Sequence, residues 1–103
     1  IFKTIDVKAY SEKIKATPNA QILDVRTPEE YATGHIENSD NVNWLSDSFV
    51  LRTDKYDKTK PVFVYCKSGG RSIKAANKLA ELGFTTIYNL DEYAELLNTD
   101  KEV

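Results

Sequence analysis

The 103-residue sequence is poor in cysteine and histidine: it has one of each, Cys66 and His35. A lone cysteine excludes an internal disulfide, so cysteine pairing says nothing about the redox compartment. No apolar run approaches the ~20 residues that span a bilayer, and no signal-peptide pattern is present. The sequence also lacks internal repeats, low-complexity tracts and linkers. These absences predict one soluble domain over residues 1–103, long enough to bury a core, with no membrane partner.

The sequence also lacks an excess of charge of either sign: it has 14 Lys and Arg and 16 Asp and Glu, for a net charge of −2. The basic residues are scattered, so nothing favours a nucleic-acid partner. No cluster has metal-ligand spacing and no phosphate-loop lysine motif occurs, so we predict neither a metal nor a cofactor. The chain starts at Ile1 rather than methionine, which is typical of a mature product or a part of a longer protein. The compartment therefore stays open: we slightly favour the cytoplasm over export of a mature form.

The most informative stretch begins at residue 62. Four consecutive apolar or aromatic residues, 62–65, predict a short strand that is buried on both faces of a parallel sheet. A polar loop with two glycines follows, and its first residue is Cys66. The next segment predicts a helix that ends at Gly83 and buries Ile73, Ala76, Leu79 and Leu82. The only thiol therefore lies between the carboxyl end of a buried strand and a helix N-terminus.

This position favours a reactive thiol that binds an anion. Ligands of open α/β sheets bind beyond the carboxyl ends of strands, and a helix N-terminus attracts negative charge. The helix terminus and nearby cations also lower the pKa of a thiol. We expect Gly69 and Gly70 to allow backbone turns that a Cβ would forbid, and Lys67 and Arg71 to add positive charge. The alternative is a small cysteine buried in the core.

The rest of the chain alternates strand and helix patterns. Further strands are predicted over residues 1–5, 21–25 and 86–90, with a brief one at Val42. Helices are predicted after Asp6, from Thr27 to Gly34, around 48–51 and over 91–97. Thr27 and Glu30 have the spacing of a capping box, in which each side chain binds the backbone of the other. Alternating strands and helices indicate a parallel sheet covered by helices.

Five groups of residues resemble the rhodanese family in their order and spacing. In chain order they are Leu23-Asp24-Val25-Arg26; Glu30-Tyr31 with Gly34-His35-Ile36; Asn41-Val42; Cys66-Lys67-Ser68-Gly69-Gly70-Arg71-Ser72; and Asn89-Leu90. The likeness runs from Ile5 to about Leu97, and the cysteine loop is its most specific part. It implies an α/β fold with three layers, α/β/α, around a parallel five-stranded sheet.

The resemblance also implies a sulfurtransferase. Cys66 would take a sulfane sulfur from a thiosulfate-like donor, hold it as a persulfide and pass it to a thiol or to cyanide. The cradle for that sulfur would consist of Lys67, Ser68, Gly69, Gly70, Arg71 and Ser72. The implied partners are a small-molecule sulfur donor and a thiol acceptor, with a protein acceptor as an option.

Two departures from the family pattern keep other functions open. Asp91-Glu92 replaces a glycine pair that is common in the family, and Asn43 stands where a proline is frequent. The first departure changes the start of the final helix and supports a non-catalytic interaction module as an alternative. A redox-sensing thiol is a further alternative, although the sequence has no second cysteine to resolve an oxidised one.

Four other residues have both a functional and a structural interpretation. Asp24 and Arg26 would support the site by orienting the loop or Arg71, or else form a structural ion pair with neighbours such as Glu30. His35 could be a general base, but a histidine in a turn more often connects loops through hydrogen bonds, and we favour that interpretation. Trp44 is predicted to lie in the core or at its rim rather than to form a platform for a ligand.

The length of the cysteine loop predicts that the protein has no phosphatase activity. Four residues separate Cys66 from Arg71, one fewer than in the related cysteine phosphatases. Since each residue adds up to ~3.3–3.6 Å of reach, the shorter loop should hold one sulfur atom but not a tetrahedral phosphate. We expect negligible hydrolysis of p-nitrophenyl phosphate under conditions in which thiosulfate loads Cys66. Efficient hydrolysis would contradict the loop-size interpretation.

Overall fold

A computed structural model describes residues 2–67 and 70–91 of the chain. Its strands are β1 (Lys3–Ile5), β2 (Gln21–Asp24), β3 (Ser39–Asn41), β4 (Val62–Tyr65) and β5 (Ile87–Leu90). Its helices are α1 (Val7–Lys15), α2 (Pro28–Ala32), α3 (Phe49–Arg52) and α4 (Gly70–Glu81), with a 3₁₀ turn at Thr53–Lys55. Strands and helices alternate through most of this order, as the sequence pattern predicts.

The five strands form one parallel sheet in the order β1-β5-β4-β2-β3. The chain moves outward from β2 to β3 on one side and from β4 to β5 on the other. The order therefore reverses between β2 and β4, and open α/β sheets bind ligands beyond the carboxyl ends of the strands at such a point. Cys66 follows β4 directly, so the fold places the thiol at this edge.

Each face of the sheet carries its own core, which confirms the predicted α/β fold. One face packs Leu23, Val64 and Cys66 against Ala76 and Leu79 of α4, together with Phe49 of α3. The other face packs Ile22, Phe63 and Tyr65 against Tyr10 of α1. All four residues of β4 are fully buried because the strand is central and covered on both sides.

Two helix starts follow the sequence signals. Asp6 caps α1, since its Oδ1 accepts a hydrogen bond from the Ala9 N–H at 2.9 Å. Thr27 and Glu30 form the predicted capping box at the start of α2: the Glu30 N–H donates to Thr27 Oγ1, and the Thr27 N–H donates to Glu30 Oε1. Caps of this kind satisfy N–H groups that have no partner within the helix.

The predicted buried face of α4 is partly wrong. Ile73 is 41% exposed, and the buried residues are Ser72, Ala75, Ala76 and Leu79. The prediction used a spacing of three residues, whereas a helix turns once in 3.6, so a buried stripe follows i, i+3, i+4 and i+7. Gly83 lies just past the helix with φ at +105°, as expected of a C-terminal glycine.

Other boundaries also differ from the sequence prediction. The third strand is Ser39–Asn41 rather than a strand at Val42. Its polar residues gave no strand pattern in the sequence. An edge strand can be polar because it is held by backbone hydrogen bonds to one neighbour, here β2. Helix α3 covers Phe49–Arg52, one residue later than predicted. The helix predicted over 91–97 lies outside the described residues, apart from Asp91.

Among the described residues, no helix combines the length and the apolar character needed to cross a membrane.

The corrected face of α4 predicts different costs for two substitutions on this helix. Leu79 is fully buried and Ile73 is 41% exposed. Replacing Leu79 with alanine should lower the free energy of unfolding by about 2–5 kcal/mol, because it leaves a cavity. Replacing Ile73 with alanine should cost less than about 1 kcal/mol. Urea unfolding of both variants measures the difference, and equal costs would contradict the burial described here.

Candidate active site

The Cys66 side chain lies at the junction of β4 and α4 and is 2% exposed. Its Sγ accepts a hydrogen bond from the Ser72 backbone N–H at 3.3 Å, and the Ser72 Oγ lies 3.5 Å from it. Ser72 is fully buried in the first turn of α4. Two hydrogen-bonding groups of a helix N-terminus therefore meet one sulfur atom, an arrangement that stabilises negative charge on sulfur.

The structure describes four of the six predicted loop residues, Lys67, Gly70, Arg71 and Ser72. The Lys67 side chain is exposed to solvent, and α4 begins at Gly70. Ser68 and Gly69 lie outside the described residues. A Cβ built at Gly70 meets nothing within 4 Å, so the space around this residue would admit a side chain. Positive φ among the described glycines occurs at Gly34 and Gly83.

Arg71 forms a two-point ion pair with Glu30. Its Nη1 donates to Glu30 Oε1 at 2.7 Å, and its Nη2 donates to Glu30 Oε2 at 3.1 Å. The two side chains are 27% and 31% exposed, so the pair lies at the rim of the site. The sequence predicted that the Arg71 guanidinium would bind a substrate anion. In the structure, two of its N–H groups already bind the Glu30 carboxylate.

Glu30 is held in place by the capping box as well as by Arg71. Its Oε1 also accepts hydrogen bonds from the Thr27 N–H and Oγ1, at 3.2 and 3.1 Å. The hydrogen bonds from Arg71, followed by those from Thr27, lower the pKa of Glu30 from its ordinary 4.5 to about 2. The pKa of Arg71 is raised, mainly by Glu30, with a smaller contribution from the charge of Cys66. Glu30 is therefore a fixed negative charge beside the loop.

Sequence reasoning named Glu30 as a helix cap and as an ion-pair partner for Asp24 and Arg26, but it missed the contact with Arg71. The two residues are 41 positions apart, and no local pattern joins them. The contact could have been predicted from the positions of the two segments in the fold. The capping box begins the helix after β2, and the cysteine loop follows β4, the strand beside β2. The carboxyl ends of neighbouring parallel strands lie at one edge of the sheet, which brings these two segments together.

Asp24 and Arg26 pair with each other rather than with Glu30, so the predicted partner was wrong. Arg26 Nε donates to both carboxylate oxygens of Asp24 at 2.9 and 3.0 Å, and its Nη2 donates to Asp24 Oδ2 at 2.6 Å. The same Nη2 donates to the Gly34 carbonyl at 2.8 Å. Both charged residues are buried, Asp24 completely. A buried pair needs such additional hydrogen bonds to offset the loss of hydration.

This ion pair lies on the α1 face of the sheet, whereas the Cys66 thiol faces α4. The Arg26 guanidinium lies over the Tyr65 ring, 5.5 Å from its centroid. The Tyr65 hydroxyl accepts from the Ile36 N–H at 3.1 Å and lies 3.2 Å from Ser39 Oγ. Burial, together with the charge of Asp24, raises the pKa of Tyr65 above its ordinary value. The network connects β2, β3 and β4 behind the site.

The remaining candidates hold the surrounding loops. His35 Nδ1 lies 2.9 Å from the Tyr31 carbonyl oxygen, and its ring stacks on the Tyr31 ring with centroids 3.7 Å apart. Trp44 packs edge-on against Phe49 at the rim of the α4-side core. Asp91 is exposed directly after β5, where its N–H donates to the Ile5 carbonyl. In the described part of the chain, no three His, Cys, Asp or Glu side chains converge as metal ligands would.

Comparison with known proteins agrees with this geometry. The family model for the rhodanese-like domain matches residues 6–93. The thiosulfate sulfurtransferase GlpE of Pseudomonas paraeruginosa is 36% identical over 77 residues, which cover 75% of this chain and 68% of that protein. The uncharacterized protein YqhL of Bacillus subtilis is 42% identical over 71 residues, covering 69% of this chain and 55% of that protein.

A solved structure shows the same fold. The polysulfide-sulfur transferase of Wolinella succinogenes aligns with a TM-score of 0.71 and 27% identity, over 92% of this chain and 70% of that one. The parallel sheet, the thiol at its edge and the family match therefore define one class of protein. The chain belongs to the rhodanese-like domain family.

The ion pair between Glu30 and Arg71 predicts how stability depends on pH. The pKa of Glu30 is lowered in the folded protein, so its contribution is complete above pH 4.5 and is lost as the pH falls toward about 2. At neutral pH, Glu30→Gln should lower the free energy of unfolding by about 1 kcal/mol, after allowance for solvent screening.

Urea unfolding of the wild type and Glu30→Gln between pH 2 and pH 7 measures this effect, and the two curves should converge at the acid end. Glu29→Gln is the matched control, because Glu29 is the exposed neighbour on the same helix. A constant difference between wild type and Glu30→Gln at every pH would contradict the ion-pair account.

Proposed function

We propose that this protein is a sulfurtransferase in which Cys66 carries a sulfane sulfur as a persulfide. The observation that carries the proposal is the hydrogen bond from the Ser72 N–H to Cys66 Sγ at the start of α4. It gives the only cysteine a site suited to an anionic sulfur, at the edge of the sheet where ligands bind. The sulfurtransferase names of relatives such as GlpE support the same chemistry.

The first half-reaction is a displacement at sulfur. The Cys66 thiolate attacks the outer sulfur of thiosulfate, a new S–S bond forms, and the S–S bond of the donor breaks. Sulfite leaves with the bonding electron pair, and Cys66 becomes a persulfide anion. The total charge is −3 before and after the step, because thiosulfate and sulfite are both dianions; no oxidant or external reductant is consumed.

The second half-reaction regenerates the thiolate. An acceptor nucleophile attacks the terminal sulfur of the persulfide, and the S–S bond to Cys66 breaks in favour of the cysteine sulfur. With cyanide the product is thiocyanate, and with a thiolate it is a new persulfide. The cysteine sulfur leaves as an anion, so the hydrogen bond from Ser72 and the positive end of α4 stabilise both the nucleophile and the leaving group.

The buried position of the thiol suits a small acceptor or a flexible one. Cys66 is 2% exposed, but in a persulfide the reactive atom lies one S–S bond beyond the cysteine sulfur. The terminal sulfur, rather than the cysteine sulfur, would therefore meet the acceptor. A thiol at the end of an extended protein segment would fit this geometry as well as a small molecule does.

We predict that Cys66→Ser folds but transfers no sulfur, because a hydroxyl is not ionised near neutral pH and cannot hold a persulfide. Ser72→Ala should retain transfer at a rate lowered about tenfold, since it removes one hydrogen-bonding group and keeps the backbone N–H. Formation of thiocyanate from thiosulfate and cyanide measures both rates, and circular dichroism verifies the fold. Substantial turnover by Cys66→Ser would overturn the carrier role of the cysteine.

A further inference from the structure

We propose that Glu30 determines which sulfur donors the site accepts: by matching the charge of Arg71, it favours donors with one negative charge over dianions such as thiosulfate. This inference rests on the proposed sulfurtransferase function and names the donor class of the same site. It is not needed for the chemistry at Cys66, so the two proposals can fail separately.

The first support is the geometry of the ion pair. Arg71 directs two N–H groups to the two carboxylate oxygens of Glu30, at 2.7 and 3.1 Å. A guanidinium has five N–H groups, so Arg71 keeps donors for the oxygens of a substrate. The charge of Arg71 is nevertheless already balanced. An incoming anion can gain hydrogen bonds from Arg71 but meets little net attraction.

The second support is that Glu30 is a permanent and fixed charge. Its pKa of about 2 keeps the carboxylate ionised at every pH at which a thiol reacts. Thr27 holds the same carboxylate through its N–H and its hydroxyl, so Glu30 cannot turn away when a substrate arrives without losing the capping box. Breaking the contact between Glu30 and Arg71, so that Arg71 can bind a dianion, therefore has a high free-energy cost.

The third support is the balance of charge around the loop. Lys67 and Arg71 are the cations of the cysteine loop, and Glu30 pairs with Arg71. Two negative charges, the Glu30 carboxylate and the Cys66 thiolate, therefore repel an incoming anion. A dianion meets twice the repulsion from these two charges that a monoanion meets.

Two donors that differ by one charge isolate this effect. Thiosulfate is a dianion, whereas methanethiosulfonate is a monoanion that carries the same type of outer sulfur. Attack of the Cys66 thiolate on methanethiosulfonate forms the same persulfide and releases methanesulfinate, with a total charge of −2 before and after the step. The two leaving groups differ, but this difference is the same in every variant, so a change in the kcat/KM ratio between wild type and variant reports the charge of the donors.

The size of the effect follows from Coulomb's law. For charges roughly 6 Å apart in a water-like medium, one unit charge changes affinity about threefold for each charge on the ligand. Removing the charge of Glu30 should therefore favour thiosulfate over methanethiosulfonate by about threefold. Salt should reduce this change, because the pair lies at the partly exposed rim of the site.

The test compares the wild type, Glu30→Gln and Glu29→Gln at low ionic strength. Glutamine also serves in capping boxes, so Glu30→Gln keeps the start of α2 while it removes the charge. The control Glu29→Gln removes the same charge from the neighbouring exposed position, and the described residues give Glu29 no ion pair. We expect the thiosulfate-to-methanethiosulfonate ratio to rise about threefold in Glu30→Gln and to change little in the control.

An unchanged ratio in Glu30→Gln would overturn the inference. So would an equal loss of kcat/KM for both donors, since that result would mean that Glu30 only positions Arg71. A ratio that rises equally in both variants would also overturn it, because the effect would then be one of net charge. If neither donor loads the wild type, the proposed sulfurtransferase function itself fails.

Discussion

The contact between the Cys66 sulfur and the Ser72 N–H is the interaction on which the account of this protein depends. It requires α4 to begin a few residues after β4 ends, and it requires the thiol to face the α4 side of the sheet. The burial of β4 on both faces fixes the first condition, and the packing of Ala76 and Leu79 on the sheet fixes the second. The core thus positions a helix N-terminus against one sulfur atom.

Two ion pairs lie near this edge of the sheet, and they have different roles. The buried pair of Asp24 and Arg26 connects β2 to the Gly34 turn on the face opposite the thiol. Its hydrogen bonds offset the loss of hydration that burial causes. The partly exposed pair of Glu30 and Arg71 connects α2 to α4 beside the thiol. The first is suited to holding the fold, and the second is placed to adjust the electrostatics of the loop.

The sequence predicted the features that depend on local pattern. The apolar run of β4 and the capping box at Thr27 each lie within a few residues, and the structure has both. The errors have physical causes. The polar edge strand β3 lacks an apolar signature, Ile73 was placed by a spacing of three rather than 3.6, and the partner of Arg71 is distant in sequence.

The most direct test of the central claim is the intact mass of the protein after incubation with thiosulfate and removal of small molecules. The account predicts an increase by the mass of one sulfur atom, located on the peptide that contains Cys66 and removed by cyanide with release of thiocyanate. An unchanged mass, or the same added sulfur on the Cys66→Ser variant, would contradict it.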